Sequence, residues 1–191
     1  MRVGALRSDA RSSISRIIEA ARRVFASGDG SGTLSRIADE AGVGVATLYR
    51  HFPSRQALAH AVYERIFSTE IEPLFVELAK SNAPRAMLLD VAERLVTVVQ
   101  NEKGLVSSIG NLTEATTVFL RRSSEPLRAV VARAQAAGSI RSDIDAEDIP
   151  NILAVAVTGL AVLGSDKATR RRYLSLLLDA MSPTRATRLP L

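Results

Sequence analysis

Between residues 33 and 55 the chain carries side chains that can donate hydrogen bonds to phosphate oxygens. They are hydroxyl, phenol, imidazole and guanidinium groups. Donors of this kind hold a protein on a nucleic-acid backbone, because phosphate oxygens accept hydrogen bonds strongly. The chemistry that this region offers is therefore the binding of a polyanion.

No set of residues elsewhere in the chain combines a nucleophile with a base or a group of metal ligands. We therefore expect no catalytic residue, no metal site and no cofactor. The chain has no cysteine, which excludes a disulfide and a thiolate nucleophile. Its two histidines, His51 and His60, do not have the spacing of a zinc site.

Two short helices joined by a glycine turn must position the donors. The first helix is predicted by an apolar face at helical spacing, formed by Leu34, Ile37, Ala38 and Ala41. Thr33 is a candidate for its N-cap, and Gly42 supplies the backbone freedom of a sharp turn. The second helix is expected over residues 45–51, with Leu48 directed back at the first.

The rest of the chain predicts helices and no strand. A basic arm is expected over residues 1–8, a glycine loop over 28–32 and an irregular stretch over 104–110. Ser54 and Asp145 are expected to cap helices, and Pro73 to kink or end one. The other helices are expected at about residues 9–26, from 55 onward, 84–101, 126–137, 146–164 and 168–181.

The positive charge is concentrated at one end of the chain. Residues 1–60 contain nine arginines and five acidic residues, whereas residues 61–191 contain sixteen bases and fifteen acids. An excess of arginine beside the helix pair is the footprint expected of a phosphate-binding surface.

The helix pair and its flanks closely resemble the DNA-binding domain of the TetR family of bacterial transcription regulators. The resemblance covers roughly residues 11–63. The matching residues are Ile18, Ala21, Phe25, Gly28, Thr33, Ile37, Ala38, Ala41, Gly42, Val43, Thr47, Leu48, Tyr49, His51, Phe52 and Leu58.

The resemblance implies that residues 45–51 form a recognition helix for the DNA major groove. Phosphate contacts are then expected from Thr33, Thr47, Tyr49, His51 and Arg55. The helix starts with Gly44, Val45 and Ala46. The side chains of Val45 and Ala46 can touch thymine methyl groups but cannot hydrogen bond to bases. Base hydrogen bonds must then come from Ser35, Arg36, Arg50 or the arm. The alternative for Tyr49 and His51 is packing between neighbouring helices.

The run from Ile152 to Leu163 is apolar almost all around a helix. It is too short to cross a bilayer, which needs about 20 residues. The resemblance implies a homodimer built from this helix and the following one. The expected interface residues are Leu153, Ala156, Val157, Gly159, Leu160, Leu174, Leu177 and Leu178. Burial of the helix inside a monomer is the alternative.

The resemblance also implies an effector held among the central helices. The candidate pocket residues are Met87, Val91, Leu95, Asn111, Thr116, Phe119 and Thr158. Mostly aliphatic walls favour a lipophilic or amphipathic small molecule, although the same side chains could simply fill a core.

These observations predict an all-α protein with a helix-turn-helix DNA-binding domain, residues 1–53, and a larger helical ligand-binding and dimerisation domain, residues 54–191. The expected function is a ligand-released repressor, acting as a homodimer on a palindromic operator. No signal peptide or membrane span is expected, and the lack of cysteine fits the cytoplasm. The alternatives are an enzyme, or a helical binding protein that does not read DNA.

Overall fold

The computed structural model describes residues 2–26, 33–81, 84–122, 124–164, 166–184, 186–187 and 189. Within these ranges the chain consists of helices and connecting turns without a strand, which confirms the all-α prediction. The helices are α1 Arg2–Ala26, α2 Leu34–Ala41, α3 Val45–His51, α4 Arg55–Ile66, α5 Glu72–Lys80, α6 Pro84–Asn101, α7 Lys103–Ile109, α8 Leu112–Arg122, α9 Ser124–Ala136, α10 Asp148–Val162 and α11 Lys167–Ala180, with a π-helical turn, Phe67–Ile71, between α4 and α5.

The chain forms two compact units. The first contains Met1–Ile66 and Asn101–Asn111, and the second contains Phe67–Gln100 and Leu112–Leu191. Helix α7 therefore belongs to the first unit, although it follows α6 in the chain. The expected functional boundary between residues 53 and 54 stays a prediction.

The core of the first unit forms where α1 packs against α2, α4 and α7. Ile17, Phe25, Leu48 and Leu58 are almost completely buried there. Full burial of a large apolar side chain contributes about 1.5–3 kcal/mol, so a few such residues suffice to fix the small helices in place.

Two of the three predicted helix caps are confirmed. The Thr33 hydroxyl accepts a hydrogen bond from the Arg36 amide at 3.2 Å, and the Ser54 hydroxyl accepts one from the Ala57 amide at 3.0 Å. The prediction for Asp145 is wrong, because α10 begins at Asp148. There the Asp145 amide donates to the Asp148 carboxylate at 2.9 Å.

Other predictions of local structure also need correction. Helix α1 begins at Arg2, so residues 2–8 are helical rather than an extended arm. Residues 103–109 form α7 rather than an irregular stretch. The glycine loop at 28–32 lies outside the described residues. By contrast, the helix end expected at Pro73 agrees with the structure: α4 and the π-helical turn end before it, and Pro73 lies in the first turn of the new helix α5, where its missing amide costs no hydrogen bond.

The core of the second unit contains a cluster of three phenylalanines. The Phe67 ring stacks on Phe75 at 6.4 Å and on Phe119 at 5.4 Å between ring centroids. Helix α5 packs on α9, and α8 packs on α10. Helix α9 ends at Ala136, and Gly138 follows it with a φ of 67°, a conformation that favours glycine just after a helix end.

Candidate nucleic-acid interface

A left-handed glycine sets the angle between α2 and α3. Gly42 has φ 62° and ψ 41°, a conformation that is strained for residues with a Cβ. The Gly42 amide donates to the Asp39 carbonyl at 3.1 Å, and the Val43 amide donates to the Ala38 carbonyl at 3.0 Å. These bonds satisfy carbonyls at the end of α2 and turn the chain sharply into α3.

Helix α3 is anchored through one side only. Leu48 is 0% exposed, whereas Val45 is 37% and Tyr49 is 50% exposed. Gly44 provides the N-cap without a side-chain bond, and its carbonyl accepts the amides of Thr47 and Leu48. The sequence of α3 therefore buries one residue and leaves the opposite face available to a ligand.

The structure brings most of the predicted DNA-contacting residues onto α2, α3 and the turn that joins them. The exposed ones are Thr33, Ser35, Arg36, Gly44, Val45, Ala46, Tyr49 and Arg50. Thr47 and His51 are half-buried, and the His51 ring lies 6.5 Å from that of Phe52. DNA contact by these residues stays a prediction.

Arg55 has side-chain partners on two other helices of the first unit. Its Nε donates to the Ser108 hydroxyl at 3.2 Å, and its guanidinium carbon lies 4.7 Å from the centroid of the Phe25 ring. A cation held over an aromatic ring gains about 0.5–1 kcal/mol at a partly exposed site. Arg55 thus links α4 to α1 and α7, in addition to its predicted phosphate contact.

Sequence reasoning missed the residues that hold α7 against the DNA-binding helices. Nε and Nη2 of Arg22 both bind Oε1 of Glu102, at 2.9 and 2.8 Å, and the Gln56 side-chain amide donates to the Ile109 carbonyl at 3.0 Å. Glu102 is 6% exposed, and burying a carboxylate requires a partner. An acidic residue near a helix start gives no local sign of an arginine 80 residues away.

The predicted pocket residues of the second unit are mostly core. Val91, Leu95, Thr116 and Phe119 are at most 6% exposed. Met87 and Thr158 are half-buried, and the Thr158 hydroxyl donates to the Ala154 carbonyl at 2.7 Å. Asn111 is exposed and belongs to the first unit, so the structure does not join it to the others.

The predicted dimer residues fall into two groups. Leu153, Val157, Leu160 and Leu174 are at most 6% exposed, so they face the interior of their own chain. Ala156 and Leu178 are half-buried, whereas Gly159 and Leu177 are exposed. Several of these residues border an apolar groove of about 520 Å³ along α10 and α11, lined by Ile152, Val155, Ala156, Gly159, Leu163 and Leu177 among others.

The described ranges contain no group of three or more histidine, cysteine or acidic residues that could hold a metal ion. None of their helices is long and apolar enough to cross a membrane.

A helix-turn-helix with an exposed second helix, followed by a larger helical unit, defines a class: DNA-binding regulators with a helical regulatory domain. Residues 17–62 match the model of the bacterial regulatory proteins of the tetR family. Residues 83–183 match the C-terminal domain of SbtR-like transcriptional regulators. The chain belongs to the TetR family of transcription regulators, which confirms the resemblance read from its sequence.

Solved structures agree with this assignment. A TetR transcriptional regulator from Streptomyces coelicolor is 31% identical, with 90% of this chain and 99% of that chain covered and a TM-score of 0.56. A TetR regulatory protein from Mycobacterium vanbaalenii is 28% identical over 93% of this chain and 99% of its own, with a TM-score of 0.55. RolR, in complex with resorcinol, shares the fold at 18% identity, with 91% of this chain and 89% of that chain covered and a TM-score of 0.69. No curated protein sequence gives a significant match.

Proposed function

We propose that this regulator is a homodimeric repressor that binds a palindromic operator through α3 and leaves it when a small molecule binds the second unit. The observation that carries the proposal is the exposed face of α3. Leu48 is buried and anchors α3 in the first unit, while Tyr49 and Val45 remain exposed on α3. A helix presented in this way fits the DNA major groove.

The donors around α3 suit the phosphate backbone on both sides of that groove. Thr33 accepts the Arg36 amide and keeps its own hydroxyl hydrogen for a phosphate oxygen. Thr47, Tyr49, His51 and Arg55 are proposed to make the other backbone contacts, while Ser35, Arg36 and Arg50 are proposed to reach base edges. Val45 and Ala46 then select bases by apolar contact with thymine methyl groups.

The second unit supports assembly into a homodimer. Val155, Val162, Leu163 and Leu176 are 56–86% exposed along α10 and α11. Exposed apolar patches of this kind mark protein interfaces. Gly159 has no atom within 4 Å of where its Cβ would lie, which leaves room for a second backbone to approach. Two copies would place their α3 helices on two half-sites about 34–36 Å apart.

Release by a small molecule requires that it bind one conformation of the dimer more tightly than the other. The transcriptional regulator FadR from Bacillus subtilis, in complex with stearoyl-CoA, has a similar fold at 17% identity, with 88% of this chain and 97% of that chain covered and a TM-score of 0.59. At that identity the likeness concerns the fold alone. We place the regulator in the cytoplasm, where the operator is.

The test is fluorescence anisotropy with a labelled duplex from the gene's own upstream region. A scrambled duplex of equal base composition is the control, and both are titrated at several salt concentrations. We expect the upstream duplex to bind at least about 10³-fold more tightly. Equal affinity for the two duplexes would contradict operator recognition and favour a helical binding protein or an enzyme instead.

A further inference from the structure

The second unit contains a cavity that the sequence did not predict. It lies where α6, α9 and α11 meet the loop that follows α9, and its volume is about 450 Å³. This size is within the range of small-molecule sites. Its apolar wall is formed by Leu88, Leu89, Ala134, Ile140, Leu178 and Met181, and its polar lining residues include Arg85 and Arg171.

Hydrogen bonds fix the loop that forms one side of this cavity. The Gln135 side-chain amide donates to the carbonyls of Arg141 at 3.0 Å and Ile144 at 2.9 Å. The Arg141 amide donates to the Met181 carbonyl at 2.9 Å. Ile140, which lies between these anchors, is 9% exposed. The cavity is therefore preformed, which lowers the entropic cost of binding.

Acidic neighbours hold both arginines beside the cavity. Arg85 pairs with Asp179, and Arg171 pairs with Glu93 at 2.9 Å and Asp90 at 3.4 Å. Each guanidinium has five N–H donors in a fixed fork, so these pairs orient the group without using all of its donors. Both side chains are about half exposed, which makes the remaining donors accessible to an anion.

We propose that this cavity binds an aliphatic monocarboxylate, with its chain against the apolar wall and its carboxylate beside Arg85 and Arg171. Guanidinium and carboxylate geometries match in two parallel hydrogen bonds. A neutral alcohol and a cationic headgroup cannot form this bidentate pair, so both should bind more weakly than the carboxylate.

Helix α11 connects the cavity with the proposed dimer interface. Leu178 lines the cavity, while Leu177, the preceding residue of α11, lines the apolar groove between α10 and α11. A ligand that displaces α11 therefore changes the surface on which a second copy would pack. The carboxylate is thus assigned as the effector, and this part of the inference rests on the proposed function.

The binding test uses decanoate as the probe, with decanol and decyltrimethylammonium as matched controls, in isothermal titration calorimetry on the full chain. We expect decanoate to bind at least about tenfold more tightly than decanol, as a charge-assisted hydrogen bond requires. Arg85→Gln should weaken decanoate binding about tenfold and leave decanol unchanged. Arg128→Gln is the control, because Arg128 is also half exposed and paired with an acid, Glu147.

A second variant tests the location independently of charge. Ala86 is exposed and lines the cavity, so Ala86→Trp should fill it without disturbing the core and should abolish decanoate binding. Unchanged decanoate affinity in both Arg85→Gln and Ala86→Trp would overturn the site. Equal affinity for decanoate and decanol would overturn the role of the arginines.

The effector role is tested by operator anisotropy with and without decanoate. Decanoate should weaken operator binding by wild type but not by Ala86→Trp. Binding of decanoate without any effect on the operator would overturn the effector assignment and leave the site standing. Failure of the ligand-free protein to bind its upstream DNA would instead overturn the proposed function, whatever the calorimetry shows.

Discussion

At the scale of single residues, Tyr49 and Arg55 illustrate two ways in which a side chain can contribute to DNA binding. Tyr49 is half exposed on α3, so its hydroxyl is available to a phosphate. Arg55 is held by Ser108 and by the Phe25 ring, so it also stabilises the unit that carries α3. The effect of substituting either residue should therefore be measured on the free energy of unfolding as well as on DNA affinity.

Tyr49→Phe should weaken binding to every DNA sequence by a similar factor, because a phosphate contact carries no base information. Its unfolding free energy should stay within about 0.5 kcal/mol of wild type, as for other exposed positions. Anisotropy on the operator and on the scrambled duplex, together with urea unfolding, gives both numbers. A change in base preference at constant affinity would show that Tyr49 reads bases.

Val45 and Ala46 lead to a prediction about the DNA rather than the protein. Both are exposed at the start of α3, and thymine methyl groups are the base features that they can contact. Replacing thymine by uracil in a half-site should weaken binding roughly fourfold for each contacted methyl. The same replacement outside the half-sites is the control, and an equal loss at both places would contradict methyl contact.

At the scale of elements, the angle between α2 and α3 depends on the backbone of Gly42. Gly42→Ala should destabilise the protein by about 1 kcal/mol, because alanine is strained at its φ of 62°. Gly42→Asn is the matched control, because asparagine adopts the left-handed region more readily than alanine and a Cβ at this position meets only an ordinary contact, Arg16 Nη1 at 3.6 Å. Gly42→Asn should therefore cost less stability than Gly42→Ala. Urea unfolding measures both, and equal losses would contradict the strain argument.

Elements specified by neighbouring residues could be predicted from the sequence. The apolar spacing of α2, the turn at Gly42 and the caps Thr33 and Ser54 all depend on residues within a few positions of one another. Helix α7 could not be predicted, because it is stabilised by Arg22, Arg55 and Gln56, which are distant in the chain. Likewise, the pattern showed that α10 is apolar on every side but could not show that Leu153 and Val157 face their own chain.

At the scale of the whole molecule, the exposed side of α10 belongs to the surface on which we propose that two copies pair on a two-fold operator. Val155→Asp should dissociate the dimer and reduce operator affinity at least about 100-fold, because each protomer then holds only one half-site. Val76→Asp is the matched control, since Val76 is a half-exposed valine on α5. Sedimentation velocity at micromolar concentration measures assembly. A monomeric wild type that still binds the operator would contradict the homodimer.

The return of α7 to the first unit affects the order in which the protein becomes active during synthesis. Helices α1 to α4 leave the ribosome before Glu102 and Ser108. Until those two residues emerge, Arg22 cannot bind Glu102 and Arg55 cannot bind Ser108, and α1 and α4 expose the surface on which α7 packs. A nascent chain that stalls between residues 66 and 101 therefore carries the recognition helix α3 in a first unit that still lacks α7. A stable DNA-binding unit therefore forms only after α6, which belongs to the second unit, has also been synthesised.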